Sequence, residues 1–202
     1  THHRSSAASD VYKRQGDIVS QKIFRIITPL IKFRACRDVR KVAGDAMEIR
    51  GGLGYIEDWL DPKILRDSHL GSIWEGTSNI ISLDTIRALK KDNNLQIFKN
   101  FLIDSVKINS EKKYEKHLLS VIDDVFYFVE NEVKENFTSS SRQITTSLYY
   151  LSSAIFLVEE GNYCEDLAYR SKISELIIKY KIDKNSPITR DDIDYDLINN
   201  LI

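Results

Sequence analysis

Apolar residues along this chain recur at intervals of three and four, the period of a helix that buries one face. A first helical stretch is predicted from about Asp17 to Arg50. It is interrupted or restarted at Thr28-Pro29, where Thr suits an N-cap and Pro the first turn. Gly51-Gly52 closes it, and a loop containing Pro62 runs to about Trp74. A helix follows from roughly Thr77 to Leu89, with Ile80, Leu83, Ile86 and Leu89 on adjoining turns. Three further stripes come next: Leu95, Phe98, Phe101, Leu102 and Val106; Leu118, Ile122, Val125, Val129 and Val133; Ile144, Leu148, Leu151, Ile155 and Val158. Gly161 is expected to stop the last of these, with Asn162 and Glu165 at capping-box spacing opening a helix that carries Leu167, Ile173, Leu176 and Ile177. Thr189 and Asp192 repeat that start signal for a short final helix.

Composition supports an all-α reading. Only 8 glycines and 3 prolines punctuate 202 residues, too few for the turns of a many-stranded sheet. No run of about 20 uncharged apolar residues is present, so no membrane span is expected. The two cysteines, Cys36 and Cys164, make no disulfide framework, and a reducing cytoplasm is the expected compartment. Polar residues 90–94 (KKDNN) are the best domain boundary. Charge differs across it: residues 16–92 hold 13 Lys+Arg against 11 Asp+Glu, whereas 93–202 hold 13 against 18. An acidic second part works against nucleic-acid binding, which depends on clustered cations.

Residues 5–15, SSAASDVYKRQ, resemble the in-frame translation of a transposon-end sequencing adapter. Residues 1–15 are therefore set aside as an artefactual or disordered tail, with native sequence expected from Gly16. This leaves 16–92 and 93–202 as the two expected domains.

No GxGxxG, Walker loop, CxxC or HExxH occurs, and no spaced set of His, Cys and carboxylates points to a metal. Glu75 stands out, alone between Trp74 and Gly76-Thr77 in the stretch LGSIWEGTSNI. Such a carboxylate is either a solvated charge beside the positive end of the following helix or a base held in a dry pocket.

Two elements taken together decide between these readings. They are Glu48-Ile-Arg-Gly-Gly-Leu-Gly-Tyr55, and Arg66-Asp67 followed by Gly71-Ser-Ile-Trp-Glu-Gly-Thr-Ser-Asn79. In order and spacing they closely resemble the C-terminal helical domain of the acyl-CoA dehydrogenase family, in detail from about Asp17 to Leu89. The resemblance implies an all-α fold: part of that C-terminal helical bundle, followed by an additional helical extension. It also implies FAD as cofactor and an acyl-CoA thioester as substrate. Glu75 then occupies the position of the catalytic base, which takes the α-proton while the β-hydrogen leaves as hydride to the flavin. Trp74 and Gly76 become substrate-binding, the one excluding water and the other letting the acyl chain pass close to the backbone. Glu48, Gly51 and Gly52 are expected to approach the FAD of a neighbouring subunit, and Thr77 and Asn79 to contact FAD from the helix start. The family often has glutamine where Glu48 and Asn79 stand. Glu48 places a negative charge near a pyrophosphate, whereas Asn79 keeps an amide on a shorter arm.

Arg66 and Asp67 read as a structural ion pair or loop anchor, and His69 and His117 as ordinary polar residues. The extension beyond Leu89, with Thr28-Pro29 and Ala46-Met47-Glu48, is similar to the larger branch that includes alkylation-response flavoproteins. A flavoprotein with a DNA-binding or protective role is therefore the alternative, and a helical interaction module without flavin chemistry is a third reading. By resemblance, an electron-transfer flavoprotein is the expected acceptor, and a homodimer or homotetramer the expected assembly. The fragment alone is expected to be inactive.

Overall fold

The computed structural model describes residues 18–134, 138–164 and 166–183. Among them the regular structure is helical throughout, with no strand. The predicted final helix at Thr189 to Asp192 and the adapter-like stretch lie outside the described residues. The chain divides into two units. Residues 18–94 with 138–146 make the first, and residues 95–134 with 147–164 and 166–183 the second.

In the first unit, α1 (Ile18–Ile49) is one continuous helix of 32 residues. The expected break at Thr28-Pro29 does not occur. Pro29 is buried inside the helix, and Thr28 donates from Oγ1 to Phe24 O at 2.8 Å instead of capping a new start. Proline costs one backbone bond there. The stripe of Ile23, Ile26, Leu30 and Phe33, all buried, holds the helix together across it.

Helix α1 ends where a left-handed residue was expected. Gly51 has φ 58° and its N–H bonds Glu48 O at 2.9 Å. The chain then turns into α2 (Gly52–Tyr55), which crosses so near α1 that a Cβ on Gly54 would collide with Met47 O.

The predicted loop up to Trp74 is instead largely helical. After α2 comes α3 (Asp61–Ser68), with Pro62 in its first turn, and then a 3-10 turn, Leu70–Ser72. Pro62 reads as a loop residue in isolation, yet it is equally at home in a first turn. It is the one buried residue of α3, so no apolar stripe announced the helix. Arg50 closes on the start of α3, its Nε 3.2 Å from Asp61 Oδ2 and its guanidinium 5.1 Å from the Trp59 ring.

Helix α4 (Ser78–Lys90) begins at Thr77, close to the expected position. Its buried face is Ser82, Thr85, Ile86, Ala88 and Leu89, while Ile80 of the predicted stripe is exposed. The two hydroxyls are buried because they have local acceptors: Ser82 Oγ bonds Asn79 O at 2.9 Å and Thr85 Oγ1 bonds Ile81 O at 3.3 Å. Residues Asp92 and Asn93 take positive φ, and Asn94 Nδ2 donates to Ala88 O at 2.8 Å.

The second unit is built from α5 (Asn94–Asn109), α6 (Lys112–Lys134), most of α7 (Ser141–Tyr163), α8 (Leu167–Ile177) and a π-helix, Ile178–Ile182. Phe98, Leu102, Leu118, Ile122, Phe126 and Leu148 are among its fully buried side chains. Gly161 does not stop α7, which continues to Tyr163. A Cβ on Gly161 would lie 2.9 Å from Leu167 Cα, so glycine is needed there for the close return of the next helix. Nor does Asn162 cap α8: its Nδ2 donates to Asn109 O at 2.7 Å, and Asp166 holds the N-cap position.

Candidate functional site

The Glu75 loop is pinned onto α1 at two places. Ser72 Oγ donates to Cys36 O at 3.0 Å, and the missing side chain of Gly71 leaves room for Cys36 Sγ, which would be 3.0 Å from an added Cβ. One turn earlier, Lys32 Nζ donates to Trp74 O at 3.0 Å and lies 3.7 Å from Glu75 Oε2. Between pins and helix the backbone is strained. Glu75 has φ 59°, in the left-handed region that costs an L-residue about 1 kcal/mol or more, and Gly76 follows at φ 113°. A Cβ on Gly76 would meet Ile81 Cδ1 at 3.2 Å. A small residue without left-handed cost is therefore required after Glu75, and Thr77 then opens α4.

The Glu75 side chain is 87% exposed. Trp74 and Ile73 beside it are exposed too, as is Ile80 at the start of α4. Exposed apolar side chains thus flank the Glu75 carboxylate, and none of the described residues desolvates it.

Thr77 makes no side-chain cap bond, so its hydroxyl leaves the first N–H groups of α4 open. Asn79 is exposed, with its Oδ1 accepting from Arg142 Nε at 2.6 Å. Glu48, Gly51 and Gly52 lie elsewhere. Glu48 is roughly 24 Å along the α1 axis from Lys32, at 1.5 Å per residue. The predicted residues therefore fall into two groups, Trp74 to Asn79 at one place and Glu48 with Gly51 and Gly52 at another. Around both glycines the space is open, with nothing within 4 Å of an added Cβ.

Sequence reasoning missed Lys32, Ser141 and Arg142. Lys32 reads as one more polar position on a long helix, and Arg142 is 63 residues from Asn79, beyond any local pattern. Arg66 is an anchor, as expected, but its partner is Glu57, through bonds of 2.6 and 3.1 Å, and not Asp67. The pair holds the Glu57 carboxyl below its usual range and raises Arg66, each chiefly through the shared hydrogen bond. No group of three or more metal-ligating side chains occurs among the described residues. Both cysteines are free, and no helix among the described residues is long and apolar enough to cross a membrane.

Residues 6–90 match the family model described as "Acyl-CoA dehydrogenase, C-terminal domain". The match reaches back into the adapter-like stretch. Particular relatives agree. The chain is 33% identical over 98 residues to acyl-CoA dehydrogenase family member 11 of Caenorhabditis elegans, covering 48% of this chain and 16% of that protein. It is 38% identical over 80 residues to AidB of Escherichia coli, covering 40% of this chain and 15% of that one. Among solved structures, ACDH-11 of Caenorhabditis elegans in complex with C11-CoA matches with TM-score 0.71 and 24% identity, over 95% of this chain and 34% of that chain. The last likeness concerns the fold alone. The chain thus spans about one sixth of the length of the two curated relatives.

Proposed function

We propose that this chain is the C-terminal part of an FAD-dependent acyl-CoA dehydrogenase in which Glu75 removes the α-proton of an acyl-CoA thioester. The observation that carries the reading is the strained Glu75-Gly76 pair, clamped to α1 through Lys32 and Trp74 O at the mouth of α4. Strain of this kind persists where the surroundings over-determine it and concentrates at functional sites. In solution, an unconstrained glutamate would relax to negative φ.

The donor set fits a phosphate-bearing cofactor. Thr77 leaves helix N–H groups open, Asn79 offers an amide, and Gly51 and Gly52 allow backbone approach without side chains. The Glu48 carboxylate does not fit a pyrophosphate, so its part is limited to the backbone of that last helical turn. FAD, when bound, supplies the acceptor for the β-hydride. This chain's residues do the rest. Glu75 holds the abstracted proton on its carboxylate, its backbone N–H faces the developing enolate oxygen, Trp74 excludes water, and Gly76 lets the acyl chain run along the backbone. Closure around the carboxylate then comes from protein beyond the described residues, which is why the chain alone is inactive on this reading. Cytoplasmic location, a homodimer or homotetramer, and electron-transfer flavoprotein as acceptor belong to the same proposal.

The test is Glu75→Gln in the full-length flavoprotein. Reduction of the flavin by acyl-CoA is expected to slow by about 10³-fold, the scale of a lost general base, with FAD still bound. Wild-type bleaching of the flavin band in that variant sinks the assignment.

A DNA-occupying flavoprotein is the second reading, favoured by the likeness to AidB and by Arg34, Arg40 and Arg142, whose charges act on Arg37 in the first unit. The acidic balance of residues 93–202 works against it. Lack of duplex binding at low salt would remove it.

A further inference from the structure

The amide of Asn79 has a determined polarity. Arg142, the second residue of α7, donates from Nε to Asn79 Oδ1 at 2.6 Å. A guanidinium carries donors and no acceptor, so the amide oxygen and not the nitrogen must face it. The Nδ2 group is thereby turned away from Arg142, on an exposed residue, and no acceptor among the described residues meets it.

The register of Arg142 on α4 is set by the residue before it. Ser141 Oγ lies 3.1 Å from Ser82 Oγ in a buried contact, and Ser141 O accepts from Thr145 Oγ1 at 2.7 Å. Ser82 in turn bonds Asn79 O at 2.9 Å, so one residue of α4 touches both the backbone of Asn79 and the start of α7.

Donors are in surplus nearby. Burial first, then the charges of Arg142, Arg34 and Arg40, pull the Arg37 guanidinium below its usual range. Asp38, the acidic neighbour opposing them, is already bonded by Arg34. Arg40 Nε is buried with no hydrogen-bond partner. With four guanidinium groups against the one carboxylate of Asp38, the neighbourhood favours oxyanions.

We propose that Arg142 is a positioning residue that turns the Asn79 amide so that Nδ2, beside the guanidinium, presents only donors to a phosphate oxygen of the flavin nucleotide. The inference rests on the reading of Asn79 as an FAD contact. With the amide reversed, its oxygen would face the phosphate, and two acceptors repel. A segment of the helical extension thus takes part in holding the cofactor.

The experiment uses the full-length protein stripped of flavin and titrated with FAD, ADP and riboflavin, the last two probing the halves of the cofactor. Arg142→Met is expected to weaken FAD and ADP about tenfold each, the scale of one charge-assisted hydrogen bond, and to leave riboflavin unchanged. Arg142→Lys, which keeps a donor at the amide oxygen, recovers most of that loss. Equal weakening of ADP and riboflavin, together with a lowered melting temperature, would mean that Arg142 acts through the fold and would overturn the proposal. If Asn79→Ala weakens ADP while Arg142→Met does not, the positioning role is wrong and the FAD contact stands. If Asn79→Ala leaves ADP binding at wild-type strength, the contact itself falls and takes the inference with it.

Discussion

The two units use their apolar residues differently. Among the described residues, seventeen exposed large apolar side chains belong to the first unit and four to the second. The first also holds every positive-φ residue recorded among the described residues, from Gly51 to Asn93. In the second, Phe98 and Phe126 meet with ring centroids 6.4 Å apart, and Leu102, Leu118, Ile122, Leu148, Leu151 and Ile155 fill a core beside them. One unit encloses most of its large apolar side chains. The other keeps apolar faces open and strain at a loop, the arrangement of a surface that functions by meeting other molecules.

The contrast breaks first if the second unit is not the stable one. Phe126→Ala is expected to cost about 3–5 kcal/mol, because it removes a fully buried ring and leaves a cavity. Val42→Ala on α1, where the residue is 64% exposed, is expected to stay within about 0.5 kcal/mol. Urea unfolding of both variants decides, and comparable losses would erase the distinction. Of middle size is the strain at the loop. Glu75→Gly relieves a left-handed φ of 59° and is expected to stabilise the chain by up to about 1 kcal/mol while removing the carboxylate. A drop in stability would show that the Lys32 contacts outweigh the strain.

The smallest effect concerns pH. Burial pushes the Tyr114 hydroxyl up to about 12, partly offset by its 3.0 Å bond to Ser174 Oγ. A phenol raised in the folded state keeps its proton longer than in the unfolded chain. Its contribution is therefore full below the unfolded value near 10 and is lost as pH rises from there toward 12. Stability measured across that window should fall less steeply in Tyr114→Phe than in the wild type.

Much of this was legible in sequence because it is local. The stripes through Phe98 and Leu102, through Leu118 and Ile122, and through Ile144, Leu148 and Leu151 named buried faces correctly. Each follows from the helical period alone. The errors have a shared cause as well. Taken alone, Pro29, Pro62 and Gly161 read as punctuation, the usual local meaning of proline and glycine, but α1 holds together across Pro29, α3 takes Pro62 in its first turn, and Leu167 approaches Gly161 too closely for any side chain. Likewise the buried face of α4 runs through Ser82 and Thr85, which no apolar count can find, since hydroxyls become buriable only once they have acceptors.

For the candidate site the division is sharper. The motif around Glu75 and the glycines at 51 and 52 points to the domain whose family model matches residues 6–90, because residue types at set spacings survive in the linear order of the chain. That Glu75 is strained, that Lys32 clamps its loop, and that Arg142 dictates which end of the Asn79 amide faces outward depend on residues 42 to 63 positions apart. Such pairs leave no periodic trace in the chain, since the free energy that joins them arises only when separate helices have already packed. The sequence by itself determined most of the apolar helix faces; the tertiary structure alone decided where helices run through proline and glycine and which way the polar groups point.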